Sequence, residues 1–493
     1  MALPQDAPAV IIGGGPAGLT AAYTLVKRGV RPVVLEKSDK VGGIARTENH
    51  NGYRFDIGGH RFFTKVDEVQ ALWHEVLEED FLKVPRLSRI FYGGRFYSYP
   101  LDLKNTLSNL GAVESARILL SFLRWKARPH RREETFEQWV TNRFGRRLYN
   151  TFFRTYTEKV WGIPCSKIRS DWAAQRIKGL SLTSAVVNAL FGTGDAKTLI
   201  KEFDYPKYGP GQMWECFRDA VEARGGTVRM QTDIVGIRRD GSRITGITAR
   251  RTDTGETFEI RGENFISSMP LSELIFQISP APPDEVLEAA RGLSYRDFIL
   301  VGLILKQAKA FDDNWIYVHS PDVKVGRIQN FRNWSRAMVP DPDKHSLGME
   351  YFCTEGDDLW KTPDADLVAL AGREIEALGL ATAADVEDGV VIRQEKAYPV
   401  YDETYREHLT VLQNYINSLE NLQTIGRNGM HRYNNQDHSM LTGILAAENV
   451  LGERHDLWGV NTERSYHEDF VTKDKEPAAA AAPAEARPQL SEA

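Results

Sequence analysis

The apolar and polar positions near the start of the chain predict a strand, a turn, a helix and a second strand, in that order. Residues 9–12 are β-branched or small and predict a buried strand of a parallel sheet. Residues 17–28 carry the apolar spacing of a helix, and residues 31–36 predict a second strand that ends in an acid. The pattern therefore predicts that the fold begins with a strand, helix and strand packed as one unit.

The turn between the first strand and the helix carries glycines in the spacing G-x-G-x-x-G. Gly13 permits the tight turn, Gly15 lets a pyrophosphate approach the backbone, and Gly18 lets the helix pack closely on the strand. The helix N-terminus offers unpaired N–H groups and a positive dipole end to phosphates. Glu36 ends the second strand, where its carboxylate can accept two ribose hydroxyls. These features predict a dinucleotide site, and a glycine-rich turn without a ligand is the alternative.

The remaining pattern predicts two interleaved domains. Residues 103–191 are mostly helical in pattern, residues 227–260 predict strands and hairpins, and residues 422–470 return to strand, loop and helix. We expect an α/β fold in which a Rossmann-type nucleotide-binding domain is interleaved with a mixed α+β substrate domain. The expected boundaries are residues 1–85, 206–265 and 391–472 for the nucleotide-binding domain, 86–205 and 266–390 for the substrate domain, and 473–493 for a disordered tail rich in Ala, Pro and Glu.

Composition narrows the class of protein. The chain has 493 residues, 42% of them hydrophobic, and a formal net charge of −5, which gives no basic field for nucleic acid. Its three cysteines are far apart and form no C-x-x-C pair, which favours a reducing compartment and argues against a metal site. The short polar leader leaves no room for a signal peptide, and the apolar stretch 298–305 is too short to cross a bilayer. We therefore expect a cytoplasmic enzyme.

Residues 117–132 combine six arginines and lysines with several large apolar side chains. A basic amphipathic helix of this kind can lie on an anionic membrane surface. A packed helix with a solvated charged face gives the same pattern. The sequence leaves peripheral membrane contact open.

A second glycine pair follows Glu36, the acid expected to bind the ribose. Gly42, Gly43 and Arg46 come first, and the segment from Phe55 to Gly59 and His60 follows. This arrangement resembles the FAD-binding signature of the amine oxidase and protoporphyrinogen oxidase superfamily. The resemblance implies FAD, with the extra backbone N–H groups and Arg46 facing the pyrophosphate and the flavin end. NAD(P) as a tightly bound cofactor is the alternative.

The C-terminal part narrows the resemblance. The run from Gly426 to Met440 resembles the flavin and substrate loop of UDP-galactopyranose mutases, especially the eukaryotic type. Three further stretches agree: residues 159–164 with Arg176 fifteen positions after Trp161, residues 97–100, and residues 397–399. Together they extend the resemblance over most of residues 9–452.

This resemblance implies a redox-neutral ring contraction of a nucleotide sugar through reduced flavin, with NAD(P)H as one candidate reductant. It implies Arg176, Tyr398 and Tyr433 at the leaving diphosphate and His60 near the flavin N5 edge. The implied flavin-facing residues are Gly426, Arg427, Asn435, Gln436 and His438. The implied substrate contacts are Tyr99, Trp161, Arg176, Tyr398, Tyr433 and Asn435.

Three positions depart from the mutase pattern. A second arginine, expected about ten residues beyond a tyrosine resembling Tyr295, is replaced there by Lys306, which can supply the charge but lacks the bidentate fork that suits a diphosphate. Thr157 and Asp102 stand where eukaryotic-type mutases carry an asparagine and a glutamine. These departures leave two other interpretations open. One is an FAD-dependent oxidoreductase of the amine oxidase, protoporphyrinogen oxidase or desaturase type, and the other is a flavin-bound partner protein without turnover.

Overall fold

The computed structural model describes residues 6–99, 101, 103–170, 201–306 and 311–461. Within these residues the helices are α1 Pro16–Lys27, α2 Asp67–Leu77, α3 Leu103–Leu110, α4 Ala112–Ala127, α5 Phe136–Leu148, α6 Thr155–Trp161, α7 Pro210–Ala223, α8 Leu271–Gln277, α9 Asp284–Gly292, α10 Phe331–Trp334, α11 Asp358–Lys361, α12 Asp364–Ala377, α13 Tyr405–Asn417 and α14 Gln436–Val450.

The strands form two sheets and two short ribbons. They are β1 Asp6–Ile12, β2 Val33–Leu35, β3 Thr47–His50, β4 Tyr53–Asp56, β5 Phe81–Pro85, β6 Ser88–Tyr92, β7 Arg95–Ser98, β8 Glu202–Pro206, β9 Thr227–Arg229, β10 Thr232–Asp240, β11 Arg243–Arg251, β12 Thr257–Ser267, β13 Ile278–Ser279, β14 Tyr295–Lys306, β15 Trp315–Val318, β16 Arg327–Asn330, β17 Lys344–Cys353, β18 Val386–Pro399 and β19 Leu422–Thr424. Strands β3 and β4 form one ribbon and β5 and β8 the other.

The first sheet runs in the order β13-β10-β11-β12-β1-β2-β9, with β19 also paired to β12. Its centre is parallel, because β1 lies between β12 and β2 and all three run in the same direction. Strand β1 is buried on both faces, which explains its continuous run of Val and Ile. Helices α1 and α14 pack together beside it. The expected strand, turn, helix, strand unit is present, and the α/β fold class is confirmed.

The second sheet runs in the order β18-β14-β17-β16-β15-β6-β7 and is antiparallel except where β15 pairs with β6. Its centre is the long pairing of β14 with β17 on one side and with β18 on the other. Helix α12 packs on one face of this sheet. The carboxyl end of β18 brings residues 397–399 to the edge that faces the first sheet's loops, since Arg427 bonds to the Ala397 carbonyl.

Two boundaries differ from those expected from sequence. Residues 266–293 pack in the core of the first sheet, where β13 pairs with β10 and where α8 and α9 bury their apolar faces. Residues 391–399 complete β18 in the second sheet. The chain passes from the first sheet to the second just after Gly292, and it leaves the second sheet at Pro399. The expected tail, residues 473–493, lies outside the described residues.

Candidate functional site

The glycine turn after β1 is built by backbone contacts that leave no room for side chains. A Cβ on Gly18 would lie 2.0 Å from the Gly13 carbonyl oxygen, so α1 can approach the turn only with glycine there. Gly13 has φ +101°, a conformation that favours glycine. Pro16 opens α1 at a position that needs no N–H partner. The turn therefore presents bare backbone at a helix N-terminus, the arrangement that binds a pyrophosphate.

Glu36 closes this turn from the second strand. Its carboxylate accepts the Gly14 N–H at 2.6 Å, and the backbone and hydroxyl of Ser38 donate to its other oxygen at 2.9 and 2.8 Å. The side chain is 8% exposed, so its position beside the glycine turn is fixed. This places an anionic acceptor where the ribose of a dinucleotide would lie.

The second glycine pair lies directly against the first turn. The Gly42 N–H donates to the Gly14 carbonyl at 2.8 Å, and a Cβ on Gly15 would lie 3.8 Å from the Gly43 Cα. Arg46 donates to the Gly43 carbonyl and to Gln394 of β18. The two loops and the arginine thus form one continuous backbone surface.

The third element of this surface is the N-terminus of α14. Asn435 precedes the helix, and its N–H donates to His438 Nδ1 at 3.3 Å. Both polar side-chain atoms of Gln436 are buried without a hydrogen-bond partner among the described residues. A buried amide in this state fits a ligand that supplies both a donor and an acceptor, such as the pyrimidine ring of a flavin. The glycine surface, Glu36 and Gln436 together fit FAD.

The loop before α14 is held by its own arginine. Arg427 donates to the carbonyls of Asn434 and Ala397, at 2.8 and 3.2 Å. Gly426 has φ +80°, and a Cβ on Gly429 would lie 2.4 Å from the Ile425 carbonyl oxygen. Within the described ranges Arg427 has no carboxylate partner, so its positive charge faces the cluster of tyrosines described below.

His60 lies in a loop between the two sheets. Its Nδ1 lies 3.2 Å from the Gly58 carbonyl, and a Cβ on Gly59 would lie 2.9 Å from Gln329 Nε2. Burial, and then the charges of Arg427 and Arg327, lower the pKa of His60 to about 3. His60 is therefore neutral at physiological pH and lies in a positive field.

Beside this loop, three aromatic rings and two arginines form a cluster that we call the arginine–tyrosine cluster. Its members are Trp161, Arg327, Tyr398, Arg427 and Tyr433. Tyr398 and Tyr433 stack at 5.6 Å between ring centroids, and the Arg427 guanidinium lies 4.6 Å from the Tyr433 centroid. Arg327 Nη2 lies 3.5 Å from the Tyr398 hydroxyl, and burial raises the pKa of Tyr398 to about 12. Tyr398 is thus a stable hydroxyl donor beside a fixed positive charge.

Trp161 closes one side of the cluster. Its ring is 2% exposed and lies 6.5 Å from Tyr398 and 6.3 Å from Tyr433, centroid to centroid. Helix α6 ends at Trp161 because Gly162 takes φ +68°, and a Cβ there would lie 2.5 Å from the Arg296 guanidinium carbon. The end of the helix and the position of the indole are therefore fixed together.

Arg327 owes its position to a buried acid. Its Nε donates to Glu350 Oε2 at 2.5 Å, and Gln329 Nε2 donates to the other oxygen at 2.7 Å. Glu350 is fully buried on β17, next to β16 in the sheet. This charge-assisted ion pair fixes the Arg327 guanidinium beside the Tyr398 hydroxyl.

Tyr99 lies at the outer end of a row of aromatic rings. Its ring is 4.7 Å from Tyr317, which lies 5.6 Å from Tyr156, and Tyr156 stacks on His319 at 4.7 Å. Tyr99 is 38% exposed. The row connects the surface to the arginine–tyrosine cluster, because Arg327 and Tyr398 are close enough to Tyr156 to influence its pKa.

Lys306, expected from sequence to contact substrate, does not join these residues. It is exposed at the end of β14, whereas Tyr398 pairs with Arg296 near the other end of that strand. Ten residues of extended strand separate the two positions by about 33 Å. Arg327, a member of the arginine–tyrosine cluster, follows Tyr317 by ten positions, the spacing expected from sequence after Tyr295.

Sequence reasoning also missed Glu350, Gln329 and Tyr156, which carry no motif of their own. Arg176 and Asp102 lie outside the described residues. Thr157 is buried at 4% exposure on α6. In the described part of the chain no helix has the length and apolar character needed to cross a membrane. The segment 117–132 forms most of α4 and the turn after it.

Comparison with known sequences gives two kinds of relative. The 1-hydroxycarotenoid 3,4-desaturase of Flavobacterium sp. is 37% identical over 115 residues, 22% of this chain and 22% of that protein. The all-trans-retinol 13,14-reductase of Homo sapiens is 45% identical over 58 residues, 12% of this chain and 10% of that protein. The chain thus matches about a fifth or less of the length of these curated relatives.

Solved structures match over nearly the whole chain. A reduced UDP-galactopyranose mutase superposes with a TM-score of 0.79 at 24% identity and covers 90% of this chain and 96% of its own. A putrescine oxidase superposes with a TM-score of 0.60 at 16% identity and covers 92% of this chain and 100% of its own. At these identities the likeness shows the fold.

A family model described as flavin-containing amine oxidoreductase matches residues 16–451. The match begins at Pro16 and includes Gly18, Glu36, Gly42, Gly43 and the N-terminus of α14. FAD is therefore the cofactor. The chain belongs to the flavin-containing amine oxidoreductase family and is an FAD-dependent enzyme.

Proposed function

We propose that the enzyme isomerises a nucleotide sugar between its pyranose and furanose forms, as the name UDP-galactopyranose mutase describes for its structural neighbour. The observation that carries the proposal is the arginine–tyrosine cluster beside His60. A hydrocarbon substrate calls for an apolar tunnel, whereas this cluster presents two guanidinium groups and two tyrosine hydroxyls. Such a surface suits a diphosphate, whose charge arginine recognises with directed hydrogen bonds.

Electrostatics support an anionic ligand. The Arg427 charge has no carboxylate partner in the part of the chain that the structure describes, and its guanidinium faces the Tyr433 ring. The same charge, with that of Arg327, lowers the pKa of His60. A diphosphate placed here would offset this field. Negative charge that develops as a nucleoside diphosphate leaves the sugar would be stabilised by donors already fixed in position.

Each residue then has a definite task. Reduced FAD, when bound, would supply the nucleophile of the redox-neutral reaction, and the protein would supply positioning and charge. Tyr398 donates its hydroxyl proton in a hydrogen bond to a diphosphate oxygen, with Arg327 behind it. Tyr433 and Trp161 hold the sugar against the flavin face, and neutral His60 orients the flavin edge. Tyr99 and Tyr317 offer aromatic faces for a nucleobase at the outer end of the row.

Activity after reduction tests the proposal. Purified enzyme should be inactive with oxidised flavin and active after anaerobic reduction by dithionite or NAD(P)H. A panel of nucleotide sugars should be isomerised with many turnovers per reduction and no stoichiometric use of reductant. Arg176→Ala should lower turnover by about a hundredfold with FAD content unchanged, and Arg176→Lys should recover little.

The sequence matches to a carotenoid desaturase and a retinol reductase favour a second candidate, an FAD-dependent oxidoreductase of an apolar polyene. This enzyme would start with oxidised flavin and consume one acceptor per turnover. The mutase proposal is overturned if no nucleotide sugar is isomerised by reduced enzyme while a polyene bleaches the oxidised flavin.

A further inference from the structure

Helix α4 exposes an unusual amount of apolar surface. Eight large hydrophobic residues are exposed in the described residues, and four of them lie on this one helix. Val113 and Leu120 are each 68% exposed, Leu123 is 60% exposed and Leu119 is 37% exposed. Exposed apolar side chains gathered in one place mark an interaction surface more often than scattered ones do.

These side chains form a stripe along the helix, which we call the α4 stripe. Val113, Leu120 and Leu123 follow helical spacing, with exposed alanines at positions 116 and 127 between and after them. The opposite face carries Ile118 and Phe122, which are buried against α5. There a Cβ on Gly145 would lie 2.8 Å from the Phe122 Cα, so the two helices are in close contact. The stripe is therefore turned away from the protein by the packing of α4 itself.

Positive charge flanks the stripe on both sides. Arg117 and Arg124 lie one helical repeat apart along one edge, and Lys126 lies beside Leu119 on the other. Residues 112–132 contain six arginines and lysines and one acid, in a chain whose net charge is −5. That acid, Glu114, pairs with Arg147 and, at 3.6 Å, with Arg117. Within the described ranges Arg124 and Lys126 have no carboxylate partner, which leaves the edges of the stripe basic.

We propose that the α4 stripe docks the enzyme on the surface of an anionic lipid bilayer. The apolar side chains would enter the boundary between headgroups and acyl chains, while the arginines and lysine at the edges contact lipid phosphates. The helix has 16 residues and lies in the membrane plane in this arrangement. Charge decides between a bilayer and a protein partner here, since a strongly basic rim around leucines matches an anionic headgroup layer. This inference does not depend on the proposed reaction.

Vesicle sedimentation with the full FAD-loaded chain tests the proposal. We expect binding to vesicles of phosphatidylcholine with about a third phosphatidylglycerol, and weaker binding to pure phosphatidylcholine. Leu120→Gln with Leu123→Gln should lower the partition coefficient by about tenfold or more, because two leucines no longer enter the bilayer. Arg124→Gln with Lys126→Gln should lower it by about fivefold for each charge removed and weaken its dependence on salt.

Matched substitutions elsewhere control for general effects. Leu451→Gln changes a leucine that is 38% exposed outside the stripe, and Arg336→Gln with Lys361→Gln removes two exposed charges outside α4. Both controls should bind vesicles like the unaltered protein, and FAD content should be equal in all variants. The proposal is overturned if the unaltered protein ignores anionic vesicles. It is also overturned if the leucine variant binds normally, or if that variant instead dissociates a dimer of the chain.

Discussion

The FAD-binding glycine surface and the arginine–tyrosine cluster are built in opposite ways. The glycine surface uses backbone from Gly13, Gly15 and Gly42, and most of its parts lie within 35 residues of sequence. The cluster uses side chains from α6, β16, β18 and the loop before α14, which span residues 161 to 433. A site made of backbone requires residues that have no side chain, whereas a site made of side chains requires strands that pair in the correct register. The two sites should therefore fail differently when altered.

The largest effect is expected at the glycine surface. Gly18→Ala places a Cβ 2.0 Å from the Gly13 carbonyl oxygen, and neither backbone segment can move aside. We expect a loss of more than about 4 kcal/mol of stability and no FAD-loaded protein. The flavin absorbance per chain measures this. Gly236→Ala is the control, because its Cβ would meet Thr248 at an ordinary 3.6 Å; normal FAD content in Gly18→Ala would contradict the prediction.

In the cluster, Arg327→Met should affect stability and turnover by separate routes. Loss of the guanidinium leaves Glu350 buried without its partner, at a cost of about 3–5 kcal/mol. Adding Glu350→Gln should restore most of that stability, because an amide tolerates burial and still accepts the Gln329 bond. Turnover should stay at least about a hundredfold low in the double variant. Chemical denaturation and assays under reducing conditions separate the two effects, and recovery of turnover in the double variant would make Arg327 purely structural.

These differences explain what the sequence could predict. The glycine turn, Glu36 and the second glycine pair are read from local spacing because each residue acts on a neighbour in sequence or on backbone. Tyr398, Tyr433 and Trp161 were named through resemblance to a family, and the structure brings them together. Glu350 could not be named, since only the pairing of β16 with β17 places it beside Arg327.

The position of Lys306 shows the same dependence on strand pairing. Tyr295 with Lys306 and Tyr317 with Arg327 both place a cation ten or eleven residues after a tyrosine. In the first pair both residues lie on one strand, so extended backbone carries them apart. In the second pair a reversal between β15 and β16 returns the chain to the same edge. Spacing alone cannot distinguish a strand from a hairpin when both are apolar.

Asp56, the last residue of β4, should give the fold a pH dependence. It is buried, it accepts hydrogen bonds from Thr47 and Tyr205, and burial raises its pKa to about 7. The folded state therefore binds a proton more tightly than the unfolded state, and stability falls as pH rises from about 4 to about 7. The shift corresponds to at most about 4 kcal/mol. Asp56→Asn should remove this part of the slope in denaturation curves measured across that range. An unchanged slope would show that the folded state does not hold the extra proton.

Tyr398→Phe should produce a smaller and purely functional change. The phenol packs in the cluster with its hydroxyl 3.5 Å from Arg327, so phenylalanine keeps the ring stacking and removes only the donor. We expect turnover to fall by about tenfold, equal to about 1.4 kcal/mol, with melting temperature near that of the unaltered enzyme. Tyr415→Phe is the control, since this hydroxyl is on α13 and outside the cluster. An equal loss of turnover in Tyr398→Phe and Tyr415→Phe would show that the Tyr398 hydroxyl does not act as a donor to the substrate.

The smallest effect is expected at Lys306, and this substitution tests directly which cation of the second sheet contacts the substrate. The expectation from sequence gave this lysine a diphosphate contact, and the structure places it exposed at the distant end of β14. Lys306→Ala should leave turnover and KM unchanged and alter stability by no more than about 0.5 kcal/mol. Turnover of Lys306→Ala and of Arg327→Met, measured under the same reducing conditions, shows whether the cation that acts on the substrate lies on β14 or on β16. A large loss of turnover in Lys306→Ala would mean that the substrate reaches the far end of the sheet and that the arginine–tyrosine cluster is not the site of reaction.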